Sequence, residues 1–273
     1  MAGADASILR AAHAVRRRRD PGGTRRTGRH SATDADRQPP EADPTDRRAT
    51  EGEPMSERCR RALEAALERI RGDQNLNIWS HLAAAEALEA AAESDARLTR
   101  GGARSPLEGR LVALKGNIAV RGWPFAGGLE SRRSEVADRD AALVSRLRAA
   151  GAVLLGQTRM DAGALGAEGR SIDGPIRNPH RPSHSVGGSS GGCAAALAAG
   201  HVELAVGTDT IGSVRIPASF CGISSLKPSK DRISLDGVLP VHTHYDHAGP
   251  MTVRASMLWP MMAVLAGMPA PAA

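Results

Sequence analysis

The sequence predicts an α/β fold, a mixed sheet flanked by helices. Three observations carry the prediction. Short apolar strands alternate with helix-length segments along the chain. Glycine-rich turns stand between them, densest at Gly187–Gly192 and again around Gly207 and Gly212. Aromatic residues are scarce, with three Trp, one Tyr and two Phe in 273 residues, so Leu, Val, Ile and Ala must fill the interior. A chain of this length can bury one substantial core or two modest ones.

The elements follow in order. From Ser56 onward Leu63, Leu67 and Ile70 recur at helical spacing, and Gly72 supplies a stop. Residues 81–97, rich in Ala, Glu and Leu, form a second expected helix. A loop with Gly101, Gly102 and Pro106 leads to a short apolar strand at Leu111–Leu114. Ala141–Ala150 reads as a helix closed by Gly151, and Val153–Leu155 as a buried strand. After the Gly187–Gly192 loop come a helix over about Gly191–Ala199 and a strand at Leu204–Val206. Met257–Ala266 is the final apolar helix, and no internal repeat is visible.

Residues 1–54 stand apart. Rich in Arg, Asp, Pro, Gly and Thr, they show no sustained hydrophobic period. They are expected to be a disordered basic leader, because they cannot bury enough apolar surface to offset the entropy of ordering. Eight Arg against two Asp in the first thirty residues give a surplus equal to the formal net charge of +6 for the whole chain. The basicity therefore describes the leader rather than the fold. The Arg16–Arg19 run fits contact with nucleic acid or an acidic surface, but a solvated tail accounts for it more simply, and nucleic acid is not expected as a partner. Met55 opens a cleaner sequence and is the expected natural start, giving one domain over 55–273. Cys59, Cys193 and Cys221 have no metal-like spacing, and their odd number suits a reducing compartment. With no apolar run long enough to cross a bilayer and no secretory signal, a cytoplasmic location without a membrane partner is expected.

Chemistry concentrates in three places. Gly187-Gly188-Ser189-Ser190-Gly191-Gly192 presents two hydroxyls on a flexible backbone. Alone, such a loop is more often a turn, a linker, a phosphate cradle or a helix cap than a catalytic element. Further on, Gly207-Thr208-Asp209-Thr210-Ile211-Gly212-Ser213-Val214-Arg215 brings a second candidate serine. The N–H groups of Thr210, Ile211, Gly212 and Ser213 are expected to converge on one oxygen as an oxyanion hole, with Asp209 and Arg215 paired to brace the loop. Upstream lies Lys115 in Leu111-Val112-Ala113-Leu114-Lys115-Gly116-Asn117, one of only three lysines in the chain. A serine hydroxyl attacks an amide only when a base removes its proton. Lysine serves as that base only when neutral, which requires burial to lower a pKa that is roughly 10.4 in water. An intervening serine can pass the proton, accepting from one hydroxyl and donating to the next group.

Together these segments resemble the amidase signature family. Its members carry a lysine after a short strand, a GGSSGG loop, a GTDTGGS stretch followed by Ile or Val, Arg, any residue, Pro and Ala, and a Cys-Gly tail ending in Leu-Lys-Pro. The corresponding segments here are Lys115, Gly187–Gly192, Gly207–Ala218 and Cys221–Pro228, and the likeness runs from about Leu76 to Gly267. The resemblance implies Ser213 as nucleophile, Ser189 as bridging serine and Lys115 as base. It implies supporting roles for Gly188, Ser190, Asp209 and Arg215, and a cis peptide at Gly188–Ser189. It also implies a structural turn at Asp246–Pro250, although His242, His244, Asp246 and His247 would otherwise suggest a metal site. No metal or organic cofactor is implied. The implied substrate is a small-molecule, non-peptide carboxamide, hydrolysed through an acyl-enzyme.

Departures are visible. Ile211 stands where relatives have Gly, Gly116 where an acid often follows the lysine, and Leu258 where Asp is common. Family members continue well beyond the end of this chain, so a truncated C-terminal part is expected. Two alternatives remain open: the glutaminase subunit of a transamidating amidotransferase, against which an apolar Ile216 argues, and a truncated non-catalytic remnant. A homodimer is also left open.

Overall fold

A computed structural model describes residues 57–269; the expected leader, its Arg16–Arg19 run and the Met55 start lie outside the described residues. The first described helix, α1 (Arg58–Gly72), buries Cys59, Leu63, Ala66 and Ile70 along one stripe, with Leu67 of the expected spacing partly buried beside it. Its first-turn N–H groups have no intrahelical acceptors. The Asp95 carboxylate supplies them, taking the Cys59 N–H at 2.7 Å and the Arg60 N–H at 3.1 Å.

Next come β1 (Trp79–Leu82), α2 (Ala84–Thr99) and β2 (Leu111–Lys115). The helix expected over 81–97 thus begins at Ala84. His81 and Leu82 are strand instead, because they find antiparallel partners in Gln157 and Gly156, and that long-range pairing outweighs local helix propensity. There follow α3 (Ala142–Ala149), β3 (Val153–Thr158), a short hairpin β4 (Arg170–Ser171) and β5 (Gly174–Pro175), and α4 (Gly191–Ala198). The chain then forms β6 (Leu204–Asp209), α5 (Arg215–Cys221), β7 (Ser224–Ser225), β8 (His247–Thr252) and α6 (Leu258–Ala266). The turn implied for Asp246–Pro250 is largely strand: residues 247–252 pair antiparallel with β6, Asp209 opposite His247 and Leu204 opposite Thr252.

One six-stranded mixed sheet results, in the order β1-β3-β2-β6-β8-β7. Its centre is parallel, with β2 between β3 and β6, and its flanks are antiparallel. Parallel neighbours need crossovers, and α3 and α4 provide them. Side chains alternate across the sheet. Leu111, Ala113, Val153, Leu155 and Ala205 pack with α1, α2 and α4 on one face. Val112, Leu114, Leu154, Leu204 and Val206 pack with α3 and α6 on the other. Parallel strands that point the same way gather their carboxyl ends on one edge, the usual place for a site in such a sheet. Lys115, Thr158 and Asp209 all arrive there.

Candidate active site

Lys115 closes β2 in phase with Leu111 and Ala113, and it is wholly buried. Its Nζ donates to Ser189 Oγ at 2.7 Å, to Thr208 Oγ1 at 2.8 Å and to the Thr208 carbonyl at 3.3 Å. Burial disfavours the ammonium and brings Lys115 down to about 8, against the opposing pull of the Asp161, Asp209 and Asp246 carboxylates. The amine is thus within reach of neutrality near physiological pH, and a neutral amine accepts a proton through the same 2.7 Å contact.

Ser189 lies on the loop before α4, and its peptide with Gly188 is cis, as the resemblance implies. A side chain at Gly188 would collide with the Asp161 carboxylate, so the close approach there requires glycine. Ser189 is fully buried and its Oγ is held by Lys115, so it is not a helix cap. Ser190 occupies the cap position of α4 without capping it; its Oγ donates to the Thr208 carbonyl at 3.1 Å. The Ser190 N–H donates to the Ser213 carbonyl at 3.1 Å, which sets the two serine-bearing loops against each other. Ser213 is 6% exposed. Among the described residues the hydrogen bonds include none between the Ser189 and Ser213 hydroxyls.

The loop after β6 is organised by Asp209. This carboxylate accepts the Gly212 N–H at 2.8 Å, the Val214 N–H at 3.1 Å, and Arg215 Nε and Nη2 at 3.0 and 2.9 Å. Burial works against its charge, but the guanidinium and the two N–H groups outweigh that and hold its pKa below the usual carboxylate range. The Gly212 N–H, expected in the oxyanion hole, donates to the buried Asp209 carboxylate in this structure. Thr210 donates its hydroxyl to Asp246 Oδ1 at 2.6 Å, tying the loop to the segment ahead of β8. Ile211 has ordinary backbone and an 85% exposed side chain, so the residue that replaces glycine fits without strain. Gly212 takes the demanding backbone, with φ of +134°.

Three residues of the site escaped the sequence reading. Thr208 receives Lys115 and also the Asn117 amide, Nδ2 to Oγ1 at 3.1 Å. Asn117 and Thr208 both stood inside recognised segments, so proximity to Lys115 and Asp209 was the available signal. Asp161 carried none, being an isolated acid three residues past β3. The histidine cluster does not build a metal site. Asp246 spends its carboxylate on Thr210 and on the Val241 and His242 N–H groups, while His247 engages Lys227 and the Tyr245 carbonyl. Among the described residues no group of three or more His, Cys, Asp or Glu side chains is placed to hold a metal ion. Cys59, Cys193 and Cys221 are buried free thiols; burial pushes Cys193 up to about 11. No described helix is long and apolar enough to cross a membrane.

Fold and site together define an α/β protein with a strand-end lysine joined to the serine of a glycine-rich loop. The family model described as Amidase matches residues 61–271, and the chain belongs to that amidase-signature family. It is 40% identical over 211 residues to a glutamyl-tRNA(Gln) amidotransferase subunit from Salinibacter ruber, covering 77% of this chain and 41% of that protein. It is 44% identical over 193 residues to the indoleacetamide hydrolase of Pseudomonas savastanoi, covering 63% of this chain and 42% of the relative. Among solved structures, the native peptide amidase of Stenotrophomonas maltophilia superposes with a TM-score of 0.72 at 36% identity, over 77% of this chain and 45% of that one. The chain spans about 41% of the length of the curated relatives it matches.

Proposed function

We propose that this chain carries the catalytic centre of a carboxamide hydrolase that works by acyl transfer. The observation that carries the reading is the fully buried Lys115 Nζ, 2.7 Å from Ser189 Oγ and brought down to about 8. Ser213 Oγ attacks the amide carbonyl while its proton passes to Ser189, whose own proton moves to neutral Lys115. The carbonyl oxygen becomes an oxyanion, and the Thr210, Ile211 and Ser213 N–H groups are its donors, Gly212 being committed to Asp209. Collapse breaks the C–N bond as the proton held on Lys115 returns through Ser189 to the leaving amine. Water then hydrolyses the Ser213 ester, yielding a carboxylic acid and the regenerated hydroxyl. The chemistry needs no metal or organic cofactor. A small non-peptide amide is the substrate class, in keeping with the likeness to the indoleacetamide hydrolase.

A second reading, a glutaminase-type subunit that passes ammonia to a partner, is favoured by the likeness to the Salinibacter protein. Incubation with glutamine and with simple primary amides separates the two by which substrate releases ammonia. The first test is covalent. A serine-directed fluorophosphonate should label the full chain, and Ser213→Ala and Lys115→Met should each lose labelling by about a hundredfold or more. Absence of labelling in a folded wild type would favour a non-catalytic remnant and sink the proposal.

A further inference from the structure

Taking up a proton at Lys115 creates a cation in a fully buried position, and something must balance it. The titratable groups near enough to act electrostatically on Lys115 are Cys193 on α4, Asp161 beyond β3, Asp209 at the end of β6 and Asp246 ahead of β8. Cys193 stays a neutral thiol, and Asp209 is already neutralised by Arg215. Asp246 is held by the Thr210 hydroxyl and two backbone N–H groups on the far strand side of β6. Asp161 differs in standing against the Ser189 loop, whose hydroxyl is the one bonded to Lys115. It is 4% exposed, its partners are backbone N–H groups, Arg170 to Oδ1 at 2.9 Å and Gly169 to Oδ2 at 3.2 Å, and no cationic side chain among the described residues pairs with it. The same carboxylate packs on the Gly188 backbone, one residue before Ser189, and on Gly166.

We propose that Asp161 is a positioning residue with two linked tasks: it fixes the Ser189 loop from beneath Gly188, and it is the buried counter-charge for Lys115 once that amine is protonated. Geometry supports both. Lys115 pairs with Thr158 in the parallel register of β2 and β3, so Asp161, three residues on, leaves the sheet at the same edge. Burial pushes the Asp161 carboxyl up, and the Arg170 and Gly169 N–H groups together with the Lys115 charge draw it back toward ionisation. An anion that pairs with the protonated base favours the cation over the neutral amine. Its removal must therefore lower the pH at which Lys115 gives up its proton.

The catalytic half of this inference rests on the function proposed above, so the test reads Lys115 directly. The chain has only three lysines, Lys115, Lys227 and Lys230, so lysine labelled with carbon-13 at Cε gives three signals, and Lys115→Met identifies the relevant one. In Asp161→Asn, which keeps the side-chain shape, the Lys115 midpoint should fall by about half a unit or more, and the pH midpoint of fluorophosphonate labelling should fall with it. A folded Asp161→Asn protein with an unmoved Lys115 midpoint overturns the proposal, even if labelling slows. Should Asp161→Asn fail to fold, the reciprocal measurement applies: Lys115→Met should raise the Asp161 Cγ midpoint by a comparable shift, and no change overturns the proposal. A wild type whose Lys115 titrates as expected but never labels refutes the hydrolase reading and leaves the charge pairing standing.

Discussion

Lys115 has been removed from water, and its chemistry follows from that burial. Only the uncharged amine takes a proton, and its population grows as pH rises through about 8. Below that midpoint the competent fraction falls about tenfold per pH unit. The labelling rate at Ser213 should therefore climb from about pH 6 and level off above about pH 9. A flat profile across that window would mean another group is the base. Glycines at the site are equally specific. Gly188→Ala would drive a methyl into the Asp161 carboxylate, and the loop must shift to relieve it. We expect that variant to lose labelling by about tenfold or more while the far-UV circular dichroism stays unchanged, since a misplacement of about 1 Å at a reacting group is costly.

At the scale of elements, the loop between β6 and α5 is held by one ion pair with unequal partners. Asp209 is fully buried and Arg215 is half exposed. Loss of the arginine leaves the carboxylate with two N–H donors and no counter-charge. Arg215→Ala should cost about 2–3 kcal/mol, less than the about 3–5 kcal/mol for breaking a fully buried pair because the guanidinium is partly solvated. Urea unfolding measures this directly, and a change below about 0.5 kcal/mol would show that the brace is dispensable. The same logic links helices. Asp95 on α2 satisfies two N–H groups at the start of α1, so the pair docks as one unit, and neither helix carries a side-chain cap of its own.

For the whole molecule, the sheet separates two apolar layers that share no side chains. Leu63 belongs to the α1, α2 and α4 layer, and Leu147 to the α3 and α6 layer; both are fully buried. Each truncation to Ala should cost about 2–4 kcal/mol, set by how far its surroundings collapse. Because the sheet lies between them, the double variant should equal the sum within about 0.5 kcal/mol. Marked non-additivity in denaturant unfolding would mean that strain passes through the sheet. Apolar side chains also remain on the outside, among them Phe220, Tyr245, Val253 and Trp259.

Most of the elements and the candidate reacting groups were legible in the amino-acid order. Apolar periodicity placed α1, glycine-bounded or continuously apolar runs placed α3, α4 and α6, and three short motifs singled out Lys115, Ser189 and Ser213 together with the Asp209–Arg215 pair. Those signals are local: a helix stripe or a glycine-rich turn is written within a few consecutive residues. Folding settled what depends on partners far along the chain. His81 and Leu82 became strand through β3, and residues 247–252 became strand through β6. The Gly212 N–H turned to Asp209, and Asp161 was placed under Gly188 with no sequence sign of it. Lys115 approaches neutrality for the same reason. Its pKa is set by the water it has lost and the carboxylates around it, and neither exists until β2, β3 and β6 lie side by side.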